Sequence, residues 1–388
     1  MNVFDRLDAS LALAEEERLL LESVRALARE TVAPRAEALD RTGEFPWENV
    51  RAINALSLNA MFIPKAYGGA ELSYAAFLAC VREISQACAS TGIVWATNFH
   101  AMKPLIDFGT EAQKRRWLPR LLEGALAALC ITEPSAGSDA TGMRTRFTPE
   151  GDSVVIEGGK TFITNGDVAG LLLLFGKWAP LGEGKQAITA LILEGGTPGL
   201  KVLRKEDKLG HRASSTVALA FEGCRVPRAN VLGEPGQGLA LLLASLNKSR
   251  PSVAAHALGI ARAAFTDAVA YINTRAQGGR RIVEYQGVQF LLADLAAELA
   301  QCEAWLWHVA RRVDSGAQEF GVEASIAKMR ASDLAMRIAT EAVQLHGGYG
   351  YCKDYRVERL MRDAKITQIW EGTNQIHRQL IGRHFIDK

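Results

Sequence analysis

Glu371 is a carboxylate whose neighbours could support acid–base chemistry. It follows the bulky Trp370 and precedes Gly372 in the run 369–375, IWEGTNQ. A carboxylate beside an aromatic side chain can become desolvated, which raises the pKa of the carboxyl group and makes its anion a stronger base. Taken alone, this segment fits a solvated or helix-capping glutamate better. A catalytic role for Glu371 therefore depends on what the other segments supply.

Two further segments have the composition of a ligand-binding loop and a ligand-binding strand. The run 129–139, LCITEPSAGSD, combines small residues with hydroxyls, and such a turn exposes backbone N–H groups that can bind a phosphate or a heteroaromatic ring. In the run 160–166, KTFITNG, Phe162 and Thr164 project to the same face of a strand. An aromatic wall beside a hydroxyl would suit a flat cofactor. The alternatives are an ordinary polar loop and a hairpin turn at the Asn-Gly pair.

A positive charge stands in the run 246–251, LNKSRP, which the sequence predicts to open a helix. Pro251 suits a first helical turn, helix N-termini attract anions, and Arg250 would add its charge there. A plain helix start with a surface arginine explains the run equally well. The run 275–286 is predicted to be a flexible loop between helices, and the glycines after Gln344 are predicted to cap a long helix.

The elements that must position these residues fall into three regions. Residues 1–126 show helical periodicity, residues 127–235 alternate short β-rich segments with turn residues, and residues 236–388 return to long amphipathic helices. We therefore predict a mainly α protein with an N-terminal helical domain, a central β-barrel or β-sandwich domain and a C-terminal four-helix bundle. The predicted strands are 153–156, 161–164, 171–175, 187–193, 200–203 and 217–221.

Composition argues against several classes of protein. The 388 residues carry 45 Lys and Arg against 43 Asp and Glu, a net charge of +2, and no basic run of the kind that binds nucleic acid. The six cysteines form no C-x-x-C pair and no cluster with zinc-ligand spacing, which predicts reduced thiols and no metal site. The N-terminus lacks a signal-peptide pattern, and the apolar run 171–175 is too short to span a membrane. We expect a cytoplasmic enzyme without membrane insertion.

Taken in order, these segments resemble the acyl-CoA dehydrogenase family over nearly the whole chain. The resemblance implies the three-part fold predicted above, with FAD between the β-domain and the C-terminal bundle, and a homotetramer built as a dimer of dimers. It implies that Glu371 takes the α-proton of an acyl-CoA thioester while the β-hydride passes to FAD, which yields a trans-2-enoyl-CoA. The backbone N–H of Glu371 would help to stabilise the enolate charge. An electron-transfer flavoprotein would reoxidise the FAD.

The resemblance also implies roles for individual residues. The implied FAD contacts within one subunit are Leu129, Ile131, Thr132, Ser138, Phe162, Thr164, Gly372, Thr373 and Gln375. The implied contacts to the FAD of a neighbouring subunit are Arg275, Gln286, Gln344, Gly347 and Gly348. The residues implied around the CoA moiety are Ser138, Asn247 and Arg250. The acyl end is expected to be shaped by Asn98, His100 and Trp370, with residues 92–95.

Several positions bear on the base and on the substrate. Some relatives carry the base on the helix near Arg250, but residues 249–261 contain no carboxylate, which favours Glu371. Departures from the usual family pattern are Gly278 for an aromatic, Phe162 for Trp, Trp370 for Tyr and Leu129 for an aromatic. The missing aromatic side chain at Gly278 should loosen the packing around the adenine of FAD. The bulk of Trp370 favours a short or branched acyl chain.

Other substrates and functions stay open at this point. The acyl group could be attached to a carrier protein, or be dicarboxylic or aromatic. An oxidase or monooxygenase on the same fold would hand electrons to oxygen, and a non-catalytic flavin-binding or scaffold protein would keep the loops without turnover. The glutamate followed by Gly-Thr, together with both flavin segments, favours the dehydrogenase.

Overall fold

The N-terminal part of the chain is helical. A computed structural model describes residues 3–386. The first seven α-helices are α1 (Val3–Ala9), α2 (Glu15–Leu27), α3 (Ala36–Thr42), α4 (Trp47–Ala55), α5 (Tyr74–Ala87), α6 (Ala89–Phe108) and α7 (Glu111–Leu122). Helix α6 is buried along nearly its whole length, because its sequence is apolar on all sides rather than on one face.

A mixed β-sheet follows these helices. Its strands are β1 (Ala127–Cys130), β2 (Arg146–Glu150), β3 (Ser153–Thr164), β4 (Leu171–Trp178), β5 (Ile188–Glu194), β6 (Leu200–Lys205), β7 (Thr216–Pro227) and β8 (Val231–Leu232). They pair in the order β6-β7-β3-β2-β4-β5-β8, and β1 joins β4 in parallel. Phe147, Leu172 and Leu219 share one core within the sheet, while Leu173 and Phe175 pack with residues of α6 and α7. The predicted β-domain is confirmed, with parallel as well as antiparallel pairs.

Strand β3 corrects the predicted division of this region. The sequence predicts separate strands at 153–156 and 161–164, because the glycines between them are typical of a turn. This prediction is wrong, since β3 runs unbroken through Gly158. A Cβ at Gly158 would lie 2.7 Å from the Cα of Thr145, so the glycine permits the close approach of two backbones.

The C-terminal part consists of long helices. They are α8 (Gly238–Thr274), α9 (Gln286–Asp314), α10 (Gly321–His346), α11 (Val357–Thr367) and α12 (Asn374–His384). Helices α8, α9 and α10 pack on one another, and α11 packs against α8 and α10, which confirms the predicted bundle. Between α8 and α9 a short hairpin, β9 (Ala276–Gln277) with β10 (Arg280–Arg281), stands where a flexible loop is predicted.

Helix α8 contradicts the predicted helix start at 246–251. It begins at Gly238, so Arg250 and Pro251 lie inside it rather than at its N-terminus. A proline in a helix interior removes one hydrogen bond and costs about 3 kcal/mol. The helix continues because the stretch from Ser249 to Ala261 is buried residue after residue, and that burial outweighs the cost.

One hydrophobic core joins the first and the last regions. It includes Phe77 and Trp95 of the N-terminal helices and Leu258, Leu306 and Leu334 of the bundle. Helix α8 is long and apolar enough to cross a membrane by length and composition, but most of it is buried inside the protein. All six cysteines are free thiols. The predicted domain limits stay a prediction.

Candidate active site

Glu371 lies in a strained turn between α11 and α12. Its φ is +52°, in the left-handed region that non-glycine residues rarely adopt, and Gly372 follows with a φ of +95°. The hydroxyl of Ser249, buried on α8, donates to Oε2 of Glu371 over 2.6 Å. Such strain at a polar side chain supports a functional role for it, because it persists only where the surrounding contacts fix the backbone.

Two buried basic side chains face this carboxylate. Arg250 on α8 is 6% exposed, and its Nε has no hydrogen-bond partner within residues 3–386. Lys328 on α10 is fully buried and donates from Nζ to the carbonyl of Gly372 over 2.7 Å and to Oδ1 of Asn374 over 3.0 Å. Burial lowers the pKa of both groups, to about 7 for Lys328, and the negative charge of Glu371 opposes this shift. The site therefore gathers positive charge around one carboxylate.

On another side of the base, Trp370 packs on two buried histidines. Its ring lies 5.1 Å from that of His211 and 5.6 Å from that of His256, between centroids. The two Nε2 atoms of the histidines are 2.8 Å apart, and His256 Nδ1 lies 2.8 Å from the hydroxyl of Ser85. Asp363 accepts the backbone N–H of His211 over 2.5 Å. Burial lowers the pKa of both histidines, to about 3 for His256, and raises the pKa of Asp363 to about 6.

A buried ion pair ties the two predicted cofactor segments together. Lys160 on β3 lies 2.7 Å from Glu133 and also donates to the carbonyl of Ile131 over 2.8 Å. The N–H of Thr161 donates to the carbonyl of Thr132 over 2.9 Å. Burial lowers the pKa of Lys160. Burial alone would raise the pKa of Glu133, but the charge of Lys160 lowers it below its ordinary value. The loop and the strand are therefore joined by one ion pair and two hydrogen bonds.

Phe162 is presented by a bulge beside this ion pair. The pairing of β3 with β7 shifts register between Lys160 and Ile163, and Phe162 has a φ of +59°. The Phe162 side chain is 62% exposed, whereas Ile163 is buried and Thr164 is half-buried. An exposed ring in a strained conformation, with a hydroxyl two residues further on, fits a flat aromatic group. These residues therefore fit the FAD that the resemblance implies.

Helix α8 connects the cofactor segments to the base. Leu129 and Ile131 pack in the same apolar cluster as Leu246, which lies just before Ser249 on this helix. Nearby, His100 Nε2 on α6 lies 3.0 Å from the hydroxyl of Ser252. Burial lowers the pKa of His100, and the charge of Glu371 opposes that shift. The structure therefore brings the first cofactor segment, the base and His100 together around one stretch of α8.

The residues predicted to contact a neighbouring subunit lie on the surface. The guanidinium carbon of Arg275 lies 5.6 Å from the ring centroid of Tyr349, in the turn that follows α10. Helix α10 ends at His346, and Gly347 is its C-cap with a φ of +60°, as predicted. Arg275 is half-buried, and the other members of this predicted set, Gln286, Gln344, Gly347 and Gly348, are exposed. Their contacts across a subunit interface stay predictions.

Several residues that the sequence predicts to contact ligands form hydrogen bonds within the protein. Asn98 is fully buried, its Nδ2 donates to Asn59 and its Oδ1 accepts the N–H of Ala127 over 2.8 Å. Asn247 Oδ1 accepts from Arg250 over 3.2 Å, and the hydroxyl of Thr373 accepts an N–H at the start of α12 over 3.4 Å. Ser138 and Gln375 are exposed. The predicted ligand contacts of these residues stay predictions.

Sequence reasoning missed several residues that surround Glu371. For Lys328 a signal exists, because this lysine shares the buried face of α10 with Ala324, Ala327 and Ala331. For Ser249 no local signal exists, since its partner lies 122 residues away along the chain. The other residues that were missed are His211, His256, Asp363 and the pair Glu133–Lys160.

Comparison with known proteins gives three family models that match consecutive parts of the chain. The acyl-CoA dehydrogenase N-terminal domain matches residues 14–125, the middle domain matches residues 128–224 and the C-terminal domain matches residues 236–386. Together they extend over most of the sequence.

Individual relatives match over nearly their full length. An acyl-CoA dehydrogenase of Bacillus subtilis (strain 168) is 40% identical over 376 residues, which cover 96% of this chain and 99% of the relative. A short-chain-specific acyl-CoA dehydrogenase of Clostridium acetobutylicum is 39% identical and covers 95% of this chain and 97% of its own. The structure of butyryl-CoA dehydrogenase from Megasphaera elsdenii aligns with a TM-score of 0.93 at 37% identity, over 97% of this chain and 99% of that one. The chain belongs to the acyl-CoA dehydrogenase family, whose members are FAD-dependent oxidoreductases that act on CH–CH bonds.

Proposed function

We propose that this chain dehydrogenates an acyl-CoA thioester to the trans-2-enoyl-CoA with Glu371 as the base. The observation that carries this proposal is the setting of Glu371. A strained turn fixes the backbone of Glu371, and the buried hydroxyl of Ser249 orients its carboxylate through Oε2. When bound, FAD accepts the β-hydride.

The residues of this chain have two tasks in the removal of the α-proton. We expect the backbone N–H of Glu371 to donate to the thioester oxygen, because negative charge develops there as the α-proton leaves. Ser249 bonds to Oε2 of Glu371, so Oε1 is the oxygen that we expect to receive the proton. The hydroxyl of Ser249 can stay in contact with the carboxyl group before and after the transfer.

We propose that FAD is held by the loop 129–138, the bulge at Phe162 and Thr164, and the residues after the base. The fit of these residues to a flat ring supports this, as does the ion pair between Glu133 and Lys160 that joins the first two segments. The contacts proposed within one subunit are Leu129, Ile131, Thr132, Ser138, Phe162, Thr164, Gly372, Thr373 and Gln375. The contacts proposed from the neighbouring subunit of a homotetramer are Arg275, Gln286, Gln344, Gly347 and Gly348.

We propose a short or branched acyl chain. Trp370 is bulky, and the two histidines behind it limit its freedom to move away from Glu371. A series of straight and branched acyl-CoA substrates, assayed with an artificial electron acceptor, tests this. We expect the highest kcat/KM for acyl groups of about four or five carbons. A maximum on long straight chains would contradict the proposal.

We propose that an electron-transfer flavoprotein accepts the electrons, and that the enzyme works in the cytoplasm. We also propose domain limits at 1–126, 127–235 and 236–388. The proposed electron acceptor has a direct test, because an oxidase or monooxygenase would turn over in air with oxygen alone. We expect the flavin, once reduced by substrate, to be reoxidised by air much more slowly than the enzyme turns over. Rapid reoxidation by oxygen would favour the oxidase alternative.

Stopped-flow bleaching of the flavin by butyryl-CoA, without oxygen, tests the central proposal. We expect Glu371→Gln to retain FAD and lose roughly 10²- to 10⁴-fold in bleaching rate, the usual contribution of a general base. Glu183→Gln, which removes an exposed carboxylate paired with Arg146, is the matched control and should bleach like the wild type. Near-normal bleaching by Glu371→Gln would show that Glu371 is not the base.

A further inference from the structure

The turn that carries Glu371 needs support from the rest of the protein. Glu371 has a φ of +52° and Gly372 a φ of +95°, so two consecutive residues adopt left-handed conformations. For a non-glycine residue this conformation costs on the order of 1–3 kcal/mol and persists only where surrounding contacts fix it. Hydrogen bonds that end on this turn therefore contribute to holding its conformation.

Lys328 reaches the turn from α10. Its side chain is fully buried, and its Nζ lies 2.7 Å from the carbonyl oxygen of Gly372 and 3.0 Å from Oδ1 of Asn374. Gly372 directly follows the base, and Asn374 is the first residue of α12. One ammonium group therefore joins the turn to the helix that follows it. When Nζ is protonated, these hydrogen bonds are about twice as strong as those between neutral groups.

A second set of contacts holds both sides of the turn on α10. Nδ2 of Asn374 donates to the hydroxyl of Ser332 over 2.9 Å and to Oδ1 of Asp333 over 2.7 Å. Asp333 also accepts from Gln368, at the end of α11, over 2.7 Å. Ser332 and Asp333 lie about one helical turn after Lys328. The segments before and after Glu371 are thus both fixed to the same face of α10.

The charged and titratable groups that face Lys328 come from four parts of the fold. Glu371 in the turn and Asp333 on α10 are acidic, Arg250 on α8 is basic, and His377 on α12 is neutral near pH 7. Burial lowers the pKa of Lys328 to about 7 and that of His377 to about 3. An ammonium group that is buried among carbonyl and amide oxygens is costly, because hydrogen bonds must replace its full hydration. A neutral amine still has two N–H groups, so Nζ of Lys328 can donate to Gly372 and Asn374 in either protonation state.

We propose that Lys328 is a positioning residue for Glu371, whose two hydrogen bonds hold the Glu371–Gly372 turn so that the carboxylate meets the α-carbon of the acyl group. This inference rests on the proposed role of Glu371 as the base. Lys328 does not touch the substrate in this scheme and acts through the backbone. A displacement of a catalytic group by about 1 Å can cost about 10²-fold in rate, so loss of the lysine should slow removal of the α-proton.

The test compares the bleaching of bound flavin by butyryl-CoA in the wild type, Lys328→Met and Lys328→Gln. Rates are expressed per bound FAD and measured with ordinary and α-dideuterated substrate. Lys177→Met is the matched control, because Lys177 is also buried and donates to two backbone carbonyls, those of Glu183 and Gly184, far along the chain from the base. Lys328→Gln keeps an N–H donor, which preserves a folded variant if the methionine variant does not fold.

We expect bleaching to slow by about 10- to 100-fold in Lys328→Met and by less in Lys328→Gln, with an unchanged dissociation constant for butyryl-CoA. An α-deuterium isotope effect should persist in the slow variants, because removal of the α-proton is the slowed step. Wild-type rates in both variants, or a loss confined to substrate binding, would overturn the role of Lys328. If the wild type itself fails to bleach, the proposed function fails instead, so the two failures are distinguishable.

Discussion

Two regions of this protein place a buried lysine beside a residue with a positive φ, and they use the lysine differently. Beside Phe162, Lys160 forms an ion pair with Glu133 at 2.7 Å. Beside Glu371, Lys328 donates instead to the oxygens of Gly372 and Asn374. In the cofactor region the two charges neutralise each other. In the catalytic region the positive charge lies near the carboxylate without bonding to it.

This difference corresponds to the tasks that we propose for the two regions. A wall for a flat cofactor has to keep one geometry, and a closed ion pair with further hydrogen bonds provides it. A base has to change its charge during the reaction, and a direct ion pair would lower its affinity for a proton. Holding the lysine on backbone and amide oxygens keeps its charge close while leaving the carboxylate free to react.

The largest effect on stability should come from breaking the buried ion pair between Lys160 and Glu133. Lys160→Met leaves the carboxylate of Glu133 buried without its counter-ion, and breaking a buried pair in this way costs about 3–5 kcal/mol. We expect the free energy of unfolding in urea to fall by that amount and FAD to dissociate more easily. Lys201→Met removes a pair with Glu222 that is exposed on both sides, and should cost less than about 1 kcal/mol. Equal losses in the two variants would contradict the contrast.

The contribution of Asp363 to the free energy of unfolding should depend on pH. Asp363 on α11 accepts the N–H of His211, which belongs to the loop before β7, and burial raises the Asp363 pKa from 3.8 to about 6. The folded protein therefore binds this proton more tightly than the unfolded chain does. The resulting stabilisation is complete below about pH 3.8 and is lost as the pH rises through about 6. The charged groups that also face Asp363 are Asp40, Arg359 and Arg362.

Asp363→Asn imitates the protonated acid at every pH. Because one pKa unit is worth about 1.4 kcal/mol, the variant should gain up to about 3 kcal/mol on the wild type between pH 4 and pH 7. The measurement is the difference between the two free energies of unfolding in urea at several pH values, in which contributions of unaltered groups largely cancel. Parallel curves over this range would show that Asp363 does not titrate in the folded protein as we expect.

The single hydrogen bond to the base should have a smaller effect. Ser249→Ala removes the donor to Oε2 of Glu371, and a hydrogen bond to a charged group is worth about 1.5–3 kcal/mol. We expect flavin bleaching by butyryl-CoA to slow by about 30-fold, because the carboxylate loses one of the contacts that orient it. Ser245→Ala, a buried serine on the same helix with a long bond to the carbonyl of His100, should change the rate little. Identical rates in the two variants would exclude this role of Ser249.

The predictable part of the site lies in short runs of sequence. Phe162 and Thr164 stand in a segment whose residue types suit a flat cofactor, and the helical and β-rich regions follow from periodicity. The role proposed for Glu371 follows from the family resemblance rather than from its own segment. Gly158 shows where local reasoning fails, because a glycine can serve a turn or a close approach of backbones, and only the position of Thr145 decides between them. The helix start predicted at Pro251 fails for a similar reason, since α8 is buried by α5, α6 and α10, which lie far from it along the chain.

The surroundings of the base could not be predicted, because they are made of contacts between distant parts of the chain. Lys328 and Gly372 are 44 residues apart, and His211 and His256 are 45 apart. The periodicity of α10 places Lys328 on a buried face, but no local pattern identifies its partners. The roles of these residues depend on which helix faces meet, and no local pattern in a single sequence determines that.

The smallest effect on the reaction should come from Trp370, which packs on His211 and His256 beside the base. Trp370→Tyr shortens the side chain that packs on His211 and His256, and it should open the acyl end. We expect the ratio of kcat/KM for hexanoyl-CoA to that for butyryl-CoA to rise by about tenfold, the usual worth of a methylene-sized change in a pocket. Trp47→Tyr, at an exposed tryptophan, should leave the ratio unchanged. Since Glu371 and Lys328 are untouched, the isotope effect of α-deuteration should stay as in the wild type. A drop in rate without a change in chain-length preference would instead place Trp370 with the lysine as support for the turn.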